Sequence, residues 1–304
     1  MGEHPLSERR GPGLAYAGLA AAAFFWAGNA VVARDAVGHI PPLAMSFWRW
    51  VIALLVLLPF ALPHLRREWA TVRANWRHLL GLSILSVAAY NTLLYLAAQT
   101  TTAVNITLIS ATMPIMIALM ARLVLGSRLQ WAQWGGIVLA LSGVAIIVLL
   151  GGGTGGVNPG DLIILLAVVS WGVYSVLLRW RPLPLHQLTV LLVLIMLGLP
   201  CILPFYLWEL GARGGLTLDA DALLAMCYVG LFPSVLSYLF WNYGVSTVGP
   251  NRAGMFIYLV PVFTAVMAWV LLDERLYPRH ALGAALILIG LYLSTRARSL
   301  KTRS

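Results

Sequence analysis

Hydrophobic residues fall along this chain in long stretches, each closed by a short polar, Gly-rich or Pro-rich gap. Ten stretches stand out: 14–33, 43–63, 78–98, 103–123, 131–150, 161–180, 187–208, 222–243, 252–272 and 279–297. A bilayer core of ~30 Å takes about 20 residues of helix. Lipid offers the backbone no hydrogen-bond partners, so such stretches must be helices. The pattern predicts an all-α integral membrane protein with ten transmembrane helices. The gaps are too short to hold a soluble domain.

Composition supports this class. Of 304 residues, 61% are hydrophobic and 10% charged, where a soluble domain carries about 25% charged residues. The net charge of +10 does not point to nucleic acid, because the basic residues punctuate the apolar runs and form no single face. Instead they alternate. Arg9, Arg10, Arg66, Arg67, Arg73, Arg77, Arg122, Arg128, Arg179, Arg181, Arg252, Arg296, Arg298, Lys301 and Arg303 fall in one set of gaps; Arg34, Arg213, Arg275 and Arg279 fall in the other. By the positive-inside rule the richer set is cytoplasmic. Both termini are then expected on the cytoplasmic side of a bacterial-type inner membrane. The N-terminal "ERRGPGLAYAGLAAAAFFWAGNA" also has the shape of a signal peptide, but removing it would leave nine spans and spoil the charge alternation.

No metal or cofactor is expected. Cys201 and Cys227 lie in apolar runs and read as small hydrophobes. The six histidines sit in termini, gaps or helix ends without metal-ligand spacing.

The chain repeats itself. At an offset of 145, "WAGNAVVAR" (26–34) meets "WGVYSVLLR" (171–179), and Pro59 meets Pro204. At 147, Pro114 meets Pro261, Arg128 meets Arg275, and Gly136 and Gly143 meet Gly283 and Gly290. This divides the chain into a first repeat (1–150, with a short N-terminal tail), a Gly-rich linker (151–160), a second repeat (161–297) and a basic tail (298–304). Asp161 is the expected N-cap of the helix after the linker. Five spans per repeat is an odd number, so the copies enter the membrane from opposite faces. Two inverted five-helix repeats are the architecture of secondary transporters, with the substrate site near the midplane between copies.

"FWAGNAVVARDAVGHIPPLAMSFWRWVIALLVLLPF" and "YLFWNYGVSTVGPNRAGMFIYLVPVFTAVMAWVLLDERLYPRHALGAALILIGLYL" together resemble EamA-type members of the drug/metabolite transporter superfamily. The shared pattern is a Trp-Gly pair in the first helix, a Pro before the second and an Arg soon after it. Here these are Trp26, Pro42 and Arg49, with Ala27 standing between Trp26 and Gly28. Where the family shows Gly-Glu, this chain has Gly126-Ser127 and Asp273-Glu274. The resemblance covers roughly 14–297 and looks closest to the YddG-type amino-acid exporters. It implies ten helices, cytoplasmic termini and export of amino acids, other metabolites or drugs.

Polar and aromatic residues inside the runs are the substrate-binding candidates: Trp26, Asn29, Tyr90, Asn91, Tyr95, Trp171, Tyr174, Ser175, Ser237, Tyr238, Trp241, Asn242 and Tyr258, with Thr107 and Ser110 beside them. Trp26 lies about 18 Å and Trp171 about 15 Å into their spans at 1.5 Å per residue, too deep for an interfacial belt. Asn91 and Tyr95 share a helix face and meet Tyr238 and Asn242 at offset 147. Singly, such residues also serve as interhelical glue. Arg49 is a candidate docking point for a substrate carboxylate, though snorkelling to the outer headgroups is the simpler expectation. Pro114 and Pro261 are candidate hinges.

The ten acids all fall in gaps or near span ends. Proton exchange and cation extrusion both draw on an embedded carboxylate. Its absence predicts an uncoupled carrier of neutral or zwitterionic amphipathic solutes, aromatic amino acids among them, working by alternating access, with lipid and solute as its partners and a monomer sufficient. A multidrug or lipophilic-cation efflux carrier is the alternative. A membrane transferase would need a catalytic carboxylate or His constellation, and none is spaced for one.

Overall fold

A computed structural model describes residues 12–126, 129–150, 157–213, 219–248 and 253–299. For Pro12, Arg213 and 295–299 only the backbone is described. Arg9 and Arg10, Ser127 and Arg128, linker residues 151–156, Arg252 and the end of the basic tail (300–304) lie outside the described residues.

The described chain is helical: α1 (Pro12–Asp35), α2 (Pro42–Ala74), α3 (Trp76–Ala98), α4 (Ala103–Ser110), α5 (Met113–Leu125), α6 (Trp131–Leu149), α7 (Pro159–Trp180), α8 (Gln187–Arg213), α9 (Ala220–Val248), α10 (Leu259–Leu272, led in by a 3-10 turn at Met255–Tyr258) and α11 (Pro278–Ser299). Eight of these stretches are long and apolar enough to cross a membrane. Helices α4 and α5 together pass the same test but bend by 45° at their junction, and the apolar part of α11 is shorter than the rest. Large exposed hydrophobics such as Leu55, Phe60, Phe205, Leu223 and Val270 give the bundle an apolar outer wall, which suits lipid. Trp69, Trp76, Trp131 and Trp180 stand exposed near helix ends, where amphipathic rings prefer the interface.

Two boundaries differ from the sequence expectation. The gap 64–77 is no loop: α2 continues to Ala74 and carries exposed Arg66 and Arg67. At ~1.5 Å per residue its 33 residues span about 50 Å, more than a bilayer core. The 103–123 run breaks just after Ser110, because Thr112 and Pro114 restart the helix. Pro114 and Pro261 therefore sit in the first turns of α5 and α10, where a missing N–H costs little.

Helix contacts come in matched pairs. α1 packs on α9 and α10, while α7 packs on α3 and α5. α6 and α11 cross at glycines: Gly136 meets Gly290 O, and a Cβ on Gly143 would lie 2.6 Å from Gly283 O. No side chain fits there, so the backbones touch. α2 and α8 run alongside each other and cap one another. Glu209 of α8 accepts from Ala44 N at the start of α2 (2.8 Å), and Glu68 of α2 accepts from His186 N just before α8 (3.0 Å). Carboxylates are at home on such orphan amides. This pairing revises one register. Pro59, Pro63 and Glu68 match Pro200, Pro204 and Glu209 at an offset of 141, so matching Pro59 to Pro204 was one helical turn out.

Other paired features follow the 147 offset. α3 and α9 each contain a π-helical stretch, Ile84–Tyr90 and Phe232–Leu236. α5 and α10 each end in a left-handed residue, Gly126 (φ 66°) and Asp273 (φ 52°). That explains the glycine of the Gly-Glu pattern. Its glutamate has a job as well: Glu274 accepts from Ala103 N at 2.9 Å, capping α4.

Candidate functional site

The polar centre of the bundle is built around Arg49. α2 begins at Pro42, whose fixed φ suits a helix start, and two turns later its apolar face presents Arg49 inward. The residue is 4% exposed, so it does not snorkel. Its Nε donates to Ser234 Oγ (2.6 Å), and Nη1 donates to Asn29 Oδ1 (3.1 Å) and Tyr95 OH (3.0 Å). Tyr95 OH donates to the same Asn29 oxygen (3.0 Å), and Ser234 Oγ donates to Val229 O (2.7 Å). The guanidinium carbon also lies 5.0 Å from the Trp50 ring centroid, a cation–π contact. Four helices from both halves thus hold one charge. Snorkelling fails because Leu57, Ala53 and Trp50 fix this face of α2 in a buried cluster, which turns Arg49 into the bundle.

Aromatic rings flank this centre. Trp26 and Trp241 pack at 5.5 Å, and Trp171 packs against Tyr90 at 4.9 Å and Tyr174 at 5.0 Å. Tyr95 bonds Arg49 directly, and none of Tyr90, Tyr174 and Tyr238 is exposed. Trp26 Nε1 donates to Pro233 O (3.3 Å), a carbonyl in the π-helical stretch of α9. Gly28 lets Tyr228 cross α1, for a Cβ there would collide with the tyrosine hydroxyl.

Several candidates lie elsewhere or serve their own backbone. Asn91 Nδ2 donates to Ser86 O (3.0 Å), tying up the π-helical stretch of α3. Ser175 Oγ donates to Trp171 O, and Thr107 Oγ1 to Ala103 O and Val104 O. Ser237 donates to Ala22 O (3.4 Å), joining α9 to α1. Tyr258 packs against the separate cluster of Ile115, Ile137 and Leu291. Asn242 is half-buried one turn beyond Tyr238. Ser110 Oγ is enclosed, beside the Tyr90 hydroxyl.

Ser234 and Trp50 were missed by reading the sequence. Both follow Pro or Arg in apolar runs, and only the fold brings them to Arg49.

The acids occupy helix ends. Asp161 and Glu209 are buried (0% and 3% exposed). Asp161 is not the N-cap of α7; Asn158 is, accepting from Gly160 N (2.8 Å). Asp161, in the first turn, accepts instead from Thr101 Oγ1 and from Asn105 Nδ2 (3.1 Å). Together with Glu274, it fastens the α3–α4 turn to the second half of the chain. Arg34 adds a bond to Ala98 O (2.8 Å) at that end.

A bundle of long apolar helices with a buried polar centre is a polytopic membrane protein. The sequence profile of the EamA-like transporter family matches residues 13–149 and again 158–296, and the chain belongs to that family. A protein of Archaeoglobus fulgidus named as an uncharacterized transporter is 27% identical over 91% of this chain and 96% of its own length. One of Streptantibioticus cattleyicolor, named a probable terminal-alkyne amino-acid exporter, is 30% identical over 69% of this chain and 70% of its own. A solved crystal structure at 21% identity has the same fold, with a TM-score of 0.63, covering 95% of this chain and 99% of the other. The chain is a transporter and not an enzyme.

Proposed function

We propose that the chain is a ten-span secondary transporter of two inverted five-helix repeats, exporting amino acids by alternating access. Its termini are cytoplasmic and its home is the bacterial inner membrane. The single observation that carries this reading is the Arg49 centre. It is polar, walled by aromatic rings, and assembled from both halves of the chain. A substrate carboxylate docks on Arg49, and its side chain lies among Trp26, Trp241, Tyr90, Trp171, Tyr174 and Tyr238. Rings of this kind bind an amphipathic solute by stacking and hydrogen bonding.

The matched contacts support the inverted repeat. Gly136 faces Gly290 while Gly143 faces Gly283; this reciprocity is what a two-fold axis in the membrane plane produces. The mutual caps of α2 and α8 have the same form. The relative named as an amino-acid exporter supports the solute class, and Pro114, just after the bend between α4 and α5, and Pro261, just after the 3-10 turn that leads into α10, are the hinge candidates.

Transport is uncoupled from protons, since among the described residues every carboxylate sits at or near a helix end. Counterflow of labelled phenylalanine into proteoliposomes tests this. The expected result is saturable exchange that a pH gradient leaves unchanged. Exchange that runs only under a pH gradient would overturn the uncoupled reading.

A further inference from the structure

Arg49 is held without any carboxylate. Its acceptors are a serine hydroxyl, a carboxamide oxygen and a phenol, all neutral, so none of them offsets the guanidinium charge. Among the described residues no Asp or Glu is paired with it. Nη2 makes no hydrogen bond to a described residue and is not among the enclosed polar atoms. An unpaired charge this deep is costly, and the cost falls when an anion arrives. The other end of a bound amino acid meets the opposite situation. The groups bonded to the centre are Asn29, Tyr95 and Ser234, all neutral, so an ammonium there meets the Arg49 charge and, among the described residues, no carboxylate paired with the centre to offset it.

We propose that this site selects its substrates by the carboxylate and does not require the amino group, so that aromatic monocarboxylates are carried as well as amino acids and aromatic amines are not. The inference rests on the carrier reading of the same site. It has an electrical corollary. A zwitterion crosses without net charge, but a monocarboxylate takes its negative charge with it, because no group at the site supplies a compensating proton. Membrane potential therefore drives the second solute and not the first.

Three solutes sharing one ring test this: phenylalanine, 3-phenylpropionate and phenethylamine. Each is loaded into proteoliposomes of the wild-type protein as the counter-solute for labelled phenylalanine, with protein-free vesicles as background. 3-Phenylpropionate is expected to drive exchange within about threefold of phenylalanine, and phenethylamine at least tenfold less. A potassium diffusion potential, negative inside, should speed 3-phenylpropionate efflux and leave phenylalanine exchange unchanged. If phenethylamine drives exchange and 3-phenylpropionate does not, or if all three drive it equally, the inference is overturned while the carrier reading stands. If phenylalanine itself fails to exchange, the carrier reading falls and this inference with it. Arg49→Gln, judged folded by its melting temperature, should lose the preference for 3-phenylpropionate over phenethylamine; a folded variant that keeps it would also overturn the inference.

Discussion

Helices α2 and α8 share a frame and differ in cargo. Both carry "LP", a second "LP" four residues on, and a glutamate five residues after that: Pro59, Pro63 and Glu68 against Pro200, Pro204 and Glu209. Each glutamate caps the start of the other helix. At the same offset of 141, however, Arg49 faces Val190, which packs among leucines beside α3. The cage around Arg49 is also absent from the other half. Asn29, Tyr95 and Ser234 correspond to Tyr174, Asn242 and Val87 at the offsets of their own helices. The frame is duplicated because both halves, each matching the family profile, bear the same packing. On the proposed reading the charge occurs once because a solute would bring one carboxylate, and a second buried cation would add cost with nothing to pair it.

The strongest way to break this comparison is to move the charge. Arg49→Gln should lower phenylalanine exchange by about 30-fold or more, since truncating one partner of a buried, hydrogen-bonded charge pair costs ~2–5 kcal/mol. The double variant Arg49→Val with Val190→Arg should not recover it, because no cage awaits the new guanidinium. Recovered exchange in that variant would mean the two halves are chemically interchangeable after all.

The glycine crossing should behave in the opposite way, alike in both copies. Gly143→Val and Gly290→Val each push a side chain into backbone, at 2.6 Å from Gly283 O and 2.5 Å from Gly136 O even for the first carbon. Overpacking of this kind costs ~1–3 kcal/mol. Melting in detergent should show similar losses for the two; a large difference would argue against a shared frame.

The two caps sharpen the comparison further. Glu209→Ala leaves the buried Ala44 N–H unpaired and should cost about 1–3 kcal/mol. Glu68→Ala exposes a bond already open to water and should cost under ~1 kcal/mol. Equal melting shifts would show that burial does not separate them. The paired helix end is expected to give an effect as small as that of Glu68. Gly126→Ala should destabilise by about 1 kcal/mol and Asp273→Gly should stabilise by up to that amount, because only glycine adopts the left-handed region freely. A melting point lowered by Asp273→Gly would show that its side chain does more than tolerate the turn.

Much of the frame was legible in the sequence because it rests on one-dimensional regularities. Apolar runs mark helices, and repeated glycines and prolines survive duplication at fixed offsets. The α2–α8 register was legible too, but comparing single prolines gave the wrong turn; comparing "LPFALPHLRRE" with "LPCILPFYLWE" gives the right one. The site was legible only as a pool. Asn29 and Tyr95 bond Arg49, Trp26 packs on Trp241, and Tyr90 and Tyr174 pack on Trp171. Asn91, Ser175 and Ser237 came from the same pool and satisfy backbone carbonyls instead, and Tyr258 belongs to another cluster. Residue type does not separate these fates; helix rotation does.

Sequence alone thus determined the class of protein, its helices and its internal duplication, because the bilayer reads hydrophobicity and length and little else. Tertiary structure decided what Arg49, the one buried arginine among the described residues, faces. Asn29, Tyr95 and Ser234 lie 20, 46 and 185 residues from Arg49 along the chain, and no local pattern encodes their meeting. It follows from the close approach of α1, α2, α3 and α9, which small residues such as Gly28 and Gly230 permit, and from the cost of leaving a guanidinium in apolar surroundings without partners.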